Sequence, residues 1–165
     1  MTSRLLGRYK DISQAETWVT ENLRGSNNFS FMVELNEDDD KTDPINSSDR
    51  PLPRIIGSIG TPAKPELEPH QKVVREIGYM YRPDQWGKGY ATESTQALIK
   101  ALFEKTDVTH VIARTDSENY GSWKVLEKCG FKRVDTADYD NVTLGKRTVL
   151  HYEIARPGYA IKGEQ

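Results

Sequence analysis

The sequence predicts an α/β fold in which helices pack on one mixed sheet. Three observations predict it. Segments that read as strands outnumber those that read as helices, six to three. Their order mixes hairpin neighbours with strand–helix–strand crossovers, which calls for a mixed sheet with helices on it. And 165 residues suffice for one core without disulfide or metal staples, so residues 1–165 read as a single domain.

The elements follow in chain order. A helix is expected over about residues 14–23, capped by Asp11 or Ser13, with Ala15, Trp18, Val19 and Leu23 on one face. Gly25-Ser26-Asn27-Asn28 ends it. Residues 29–35 alternate as a strand through Phe29, Phe31, Val33 and Leu35. Residues 36–53 open on Asn36-Glu37-Asp38-Asp39-Asp40 and carry Pro44, Pro51 and Pro53, so they read as a mobile acidic loop. It is either a solvated insertion or a lid that recruits a cationic substrate.

Residues 54–60 form a short strand around Ile55, Ile56 and Ile59. A proline-rich loop then leads to a strand over 72–82, which Pro83 closes because it cannot donate to a ladder. Val73, Arg75, Ile77, Tyr79 and Tyr81 share one face of it. A glycine turn at 84–89 precedes a helix over about 91–104, striped by Leu98, Ile99, Leu102 and Phe103. A strand at 109–114 follows, then a helix at 121–128 after Asn119, with Gly130 placed just beyond its end. Strands at 131–134 and 148–155 close the fold through a polar hairpin around 139–146, and the tail from Pro157 is expected to be disordered or loosely docked.

Composition narrows the function. The formal net charge is -2, which disfavours direct nucleic-acid binding through phosphate attraction. No apolar run approaches the roughly 18 residues of a membrane span, and the first 25 residues have no secretory pattern. One cysteine, Cys129, and three scattered histidines make neither a disulfide nor a zinc motif, so no metal is expected. A reducing, cytoplasmic setting fits.

Trp86-Gly87-Lys88-Gly89-Tyr90-Ala91 lies between a strand and a helix. Glycines there permit positive φ and close approach of a ligand to the backbone. The first helical turn offers unpaired N–H groups and a dipole that favours an anion. The loop is built like a phosphate cradle, but it has neither the GxxxxGK[ST] spacing nor the third glycine of GxGxxG, where Thr92 stands.

Glu76-Ile77-Gly78-Tyr79, Pro83, and Trp86-Gly87-Lys88-Gly89-Tyr90-Ala91-Thr92-Glu93 resemble the acetyl-CoA loop of the GCN5-related N-acetyltransferases. Asn119-Tyr120-Gly121-Ser122, followed by Leu126-Glu127-Lys128-Cys129-Gly130-Phe131, resembles a second signature, N-x-x-S then L-x-K-x-G-F, of the branch that acetylates ribosomal-protein N-termini. The resemblance covers about residues 11–156. It implies a mostly antiparallel sheet and an acetyl-CoA-dependent transfer to a primary amine by direct attack in a ternary complex.

The resemblance further assigns roles. Gly87, Lys88, Gly89, Tyr90, Ala91 and Thr92 would hold the coenzyme A pyrophosphate, and Trp86, which opens the loop, is counted among the cofactor-binding residues. Tyr79, Met80 and Tyr81 would pair with the pantetheine arm as with an added strand, and the amide of Tyr81 or Met80 would hold the oxyanion. Asn119 would bond the pantetheine. Two departures matter: Trp86 opens the loop where most of the family has Gln or Arg, and Leu126 stands where the family's tyrosine acid is usual. Ser122 is therefore the expected donor to the departing thiolate. Asn119 and Ser122 also suit mere helix capping.

For the general base, Glu76 is the best single candidate, and an ion pair with Arg75 or another cation is the competing explanation of its charge. His110 and His151 read as structural, and Cys129 as packing rather than a nucleophile. The competing function is an acetyl-CoA-binding sensor or scaffold without catalysis, against which the intact Asn119 and Ser122 argue. The acceptor, a protein N-terminus or a small amine, is not encoded legibly.

The N-terminus departs most from the family. Residues 3–9 are either a remnant first strand or, by Arg4-Leu5-Leu6-Gly7, the link between the family's first two helices. On the second reading the first strand and helix are missing, through a real variant or an incomplete gene model. The strand at 29–35 then lies at a sheet edge, and a homodimer covering it is expected.

Overall fold

In the computed structural model, residues 29–35, 55–61, 73–141 and 144–161 are described. The expected helix at 14–23, residues 3–9, the acidic loop at 36–53 and nearly all of the second proline-rich loop lie outside them.

The described elements run β1 (Phe29–Glu34), β2 (Ile55–Thr61), β3 (Val74–Glu76), β4 (Gly78–Tyr81), α1 (Tyr90–Lys105), β5 (His110–Asp116), α2 (Tyr120–Lys128), β6 (Lys132–Asn141) and β7 (Gly145–Ala155). A single 3-10 turn at Pro83–Gln85 precedes α1. The strands form two sheets, one ordered β1-β2-β4 and the other β3-β5-β7-β6. All pairs are antiparallel except β3 with β5.

The segment expected as one strand over 72–82 is thus divided between the sheets. Its first half pairs with β5, and the amide of Ile77 still bonds to the Ile112 carbonyl at 2.9 Å. Its second half pairs with β2, in the register Ser58↔Met80 and Gly57↔Tyr81. β5 meanwhile continues along β7, with Ala113 opposite Tyr152 and Thr115 opposite Leu150. Side-chain alternation runs unbroken through Ile77, so periodicity alone does not reveal the change of partner. The two sheets part here and leave a cleft between β4 and the far end of β5.

Both helices pack on the same face. Leu98, Ile99 and Leu102 of α1 and Leu126 of α2 enter a core with Ile59, Ile77, Val111, Ala113, Phe131 and Tyr152. Phe103, expected in the stripe of α1, is partly buried, with the Arg156 guanidinium 5.9 Å above its ring centre. Gly130 ends α2 in the left-handed region at φ 87°, its amide bonding to Glu127 O at 3.0 Å and that of Phe131 to Leu126 O at 3.1 Å. This is the glycine stop that its position after the helix predicts. The last strands are longer than expected and run to the pairing of Asn141 with Gly145.

Residues 157–161 fold back against β5. His110 donates from Nε2 to the Ala160 carbonyl at 3.0 Å, Thr109 Oγ1 lies 2.8 Å from its Nδ1, and the Tyr159 ring meets it edge-on. His110 is therefore a buried structural residue that clasps the tail.

Candidate active site

The glycine turn sits where β4 delivers the chain to α1, beside the parting of the sheets. Gly87 and Gly89 adopt φ 79° and 95°, and Gly89 is the N-cap of α1. A Cβ at either would meet nothing within 4 Å. Their lack of a side chain is thus not demanded by neighbouring protein; it keeps open the space in front of the backbone. The turn is anchored from both sides. The Trp86 indole donates to the Tyr81 carbonyl at 3.0 Å. The Tyr81 hydroxyl bonds to Ser94 Oγ, which donates to Tyr90 O at 2.8 Å and so ties β4 to the first turns of α1.

A cavity of about 200 Å³ opens here. Of the residues expected to bind a ligand, Tyr79, Tyr81, Trp86, Gly87, Gly89, Tyr90, Ala91 and Thr92 line it. Met80, Lys88, Asn119 and Ser122 do not, and neither does Glu76. Lys88 instead donates to Gln85 Oε1 at 3.0 Å.

Five lining residues escaped the sequence reading: Gln85 ahead of the glycine turn, and four on α2, Gly121, Lys124, Val125 and Lys128. The spacing of these four, i, i+3, i+4, i+7, puts them on one helical face. That pattern was available in the sequence, but without the fold nothing says that this face turns toward the glycine loop. It brings two lysines to the lining of a site that already carries the N-terminus of α1.

The register of β4 separates the two amides expected to meet an oxyanion. Arg82 N bonds to Ile56 O at 2.8 Å, so Met80, two residues back and opposite Ser58, also turns its main chain toward β2. Tyr79 and Tyr81, like Ile77 before them, turn theirs toward the cleft. Of Tyr81 and Met80, the geometry therefore favours Tyr81, and Met80 is a member of the ladder.

Ser122 is buried in the first turn of α2. No side-chain cap bond is made at Asn119, so capping does not account for the pair. The Ser122 hydroxyl lies 3.0 Å from the Tyr79 hydroxyl, which also donates to the Ser122 carbonyl at 3.0 Å. This contact bridges the parting of the strands. Burial pushes the Tyr79 phenol well above its ordinary value, against a smaller lowering by Ser122, so the phenol remains protonated.

Glu76 lies in β3, and its two carboxylate oxygens accept from Arg114 Nε and Nη2 at 2.9 and 3.0 Å. The ion pair, the competing explanation of this charge, is what the geometry displays. Both oxygens are engaged by one guanidinium, and the expectation that Glu76 serves the amine as base rests on the sequence alone. Cys129 is buried, contacts Thr92 O at 3.5 Å, and burial pushes its thiol up to about 11. It joins α2 to α1 as packing and is no nucleophile at neutral pH.

Known proteins resemble this chain in sequence and in fold. YnaD of Bacillus subtilis (strain 168), an uncharacterized N-acetyltransferase, is 36% identical over 58 residues, 35% of this chain and 34% of its own. YkkB of the same organism is 29% identical over 124 residues, 73% of this chain and 62% of its own. The chain thus spans about a third to three-fifths of the length of these relatives. Spermidine N-acetyltransferase from Vibrio cholerae, solved with CoA and spermine, superposes with a TM-score of 0.67 at 16% identity, over 89% of this chain and 76% of its own. The ribosomal-protein-S5-alanine acetyltransferase from Vibrio fischeri does so at 0.57 and 18%, over 66% and 58%. Residues 2–132 match the acetyltransferase (GNAT) domain, and with the glycine turn, the parted strands and the N-x-x-S helix in place, the chain belongs to that family.

Proposed function

We propose that this protein transfers an acetyl group from acetyl-CoA to a primary amine by direct attack in a ternary complex. The observation that carries the reading is the cradle at Gly87 and Gly89, open where a Cβ would project and placed at the mouth of the parted strands. Main-chain amides from Gly87 to Ala91 would hold the pyrophosphate at the start of α1, with Thr92, whose own amide bonds to Gly89 O at 2.9 Å, lining the same cavity, and Lys124 and Lys128 supplying countercharge. Tyr79 and Tyr81 would pair with the pantetheine arm through their main chains. Asn119, whose side chain does not cap its helix, would bond the same arm.

The Tyr81 amide would hold the carbonyl oxygen as it gains charge. Ser122 would donate to the departing sulfur. In the balanced step the N–C bond forms, the C–S bond breaks, the Ser122 hydrogen passes to the sulfur, and the proton that the amine gives to water is returned to the Ser122 oxygen. Glu76 enters as a brace for Arg114, and the amine loses its proton to water.

The acceptor is proposed to be a protein N-terminus or a small amine. Both kinds occur in the names of fold neighbours, a ribosomal-protein alanine and spermidine. A homodimer is proposed from β1. It stands at the margin of its sheet among the described residues, with Phe31 53% and Met32 60% exposed.

A free-thiol assay with acetyl-CoA and a panel of amines and N-terminal peptides tests the activity. Thiol release with at least one acceptor is expected. Tight binding of CoA with no turnover on any amine would instead identify a sensor or scaffold.

A further inference from the structure

Tyr79 lines the cavity and bonds to Ser122, which is not itself a lining residue but follows the lining residue Gly121 in the first turn of α2. The two hydroxyls are 3.0 Å apart and 43 residues apart in sequence. A phenol has one hydrogen to give and lone pairs to accept with, and a serine hydroxyl likewise. Two hydrogen arrangements satisfy the contact without moving a heavy atom. In one, Tyr79 donates to the Ser122 carbonyl, also at 3.0 Å, and the serine hydrogen points back at Tyr79. In the other, Tyr79 donates to Ser122 Oγ, and the serine hydrogen is released to a different acceptor.

Resting on the acetyl-transfer reading above, we infer that Tyr79 is a positioning residue for Ser122: its hydroxyl takes up the serine oxygen so that the serine hydrogen is directed at the departing sulfur. An anionic sulfur favours the second arrangement, because a hydrogen bond to a charged acceptor is about twice as strong as one between neutral groups. Tyr79 stays a neutral donor throughout, held so by its buried surroundings. The titratable groups near it are Tyr81 on its own strand, Cys129 at the end of α2 and Tyr152 on β7. Lys124 and Lys128 are the cations lining the same cavity. Changes confined to the two hydroxyls leave all of these in place.

The test reads the thiol of bound CoA by its thiolate absorbance across pH, in the wild type, Tyr79→Phe, Ser122→Ala and the double variant. The wild type should hold this thiol below its value in water. Each single variant should raise it by about one pH unit, the double no further than Ser122→Ala alone. In turnover, Tyr79→Phe should lower kcat about tenfold with KM for acetyl-CoA within about twofold, and the double should match Ser122→Ala. Melting curves check the fold. A ring-fluorinated tyrosine at position 79, which keeps both packing and bond while strengthening the donor, should shift the thiol the opposite way. If Ser122→Ala raises the thiol and Tyr79→Phe leaves it at the wild-type value, the inference about Tyr79 falls and the reading of Ser122 stands. If neither variant moves it, both fall. Failure of the protein to bind CoA at all would overturn the acetyl-transfer reading and this inference with it.

Discussion

Glu76 and Arg114 face each other across β3 and β5 in a two-pronged ion pair, at 2.9 and 3.0 Å, one residue before the strands part at Ile77. The pair pins the base of the cleft. Glu76→Gln should therefore cost about 1 kcal/mol of stability, a modest figure because the Arg114 side chain is 42% exposed. It should leave kcat within about threefold. Urea melts and a pH–rate profile check this. A fall of about 10²-fold, with loss of the acidic limb, would show that Glu76 takes the proton of the amine after all.

Gly89→Val should abolish acetyl-CoA binding. At φ 95° a β-branched side chain is strained, and its Cβ would project into the space that the cradle keeps open. The variant should still fold, at a cost of about 1–2 kcal/mol. Calorimetry with acetyl-CoA, beside a melting curve, separates the two effects; unchanged affinity in the folded variant would refute the cradle.

Ser122→Ala should lower turnover about 10²-fold, within the range for a positioned acid, with little change in acetyl-CoA affinity. The proposed binding contacts are mostly main chain, so removing one hydroxyl leaves them in place. Unaltered turnover on the true acceptor would reduce Ser122 to a structural hydroxyl.

Asp116 should govern the acid side of the stability curve. Its buried carboxylate accepts from Arg147 at 2.7 and 2.8 Å, from the Glu118 amide at 2.8 Å and from Tyr139 at 3.2 Å. Arg147 first, then the Glu118 amide and Tyr139, hold it below the usual carboxylate value, against an opposing effect of burial. A depressed carboxylate contributes stability above its unfolded value, near 3.9, and that contribution is lost as the pH falls through the lower folded value. Asp116→Asn should cost about 2–3 kcal/mol at neutral pH and flatten the loss of stability below about pH 4. Denaturant melts at neutral pH and across the acid range measure both.

Light scattering should give twice the 18.8 kDa of one chain. Phe31→Glu, at an exposed position on β1, should shift the protein toward monomer without lowering its melting temperature. A wild-type monomer at micromolar concentration would remove the proposal of a homodimer.

Local chemistry was legible in the sequence. Gly87 and Gly89 announced a turn of positive φ ahead of a helix, Gly130 announced a helix end, and the apolar stripe of Leu98, Ile99 and Leu102 announced which face of α1 is buried. Each depends on the conformational preference of one residue or on spacing within a few turns, which a single sequence carries. The division of the segment 72–82 between two sheets was not legible, because a strand that changes partner at Ile77 keeps its period of two. Nor was the use of Glu76, since a carboxylate on a strand is a base or an ion-pair partner according to what the neighbouring strand presents, and Arg114 lies 38 residues away. The turning of Lys124 and Lys128 toward the glycine loop, and the meeting of Tyr79 with Ser122, likewise depend on how α2 is laid across the parted strands. Packing of distant elements decides such contacts, and it is set by the whole core rather than by any local run of residues.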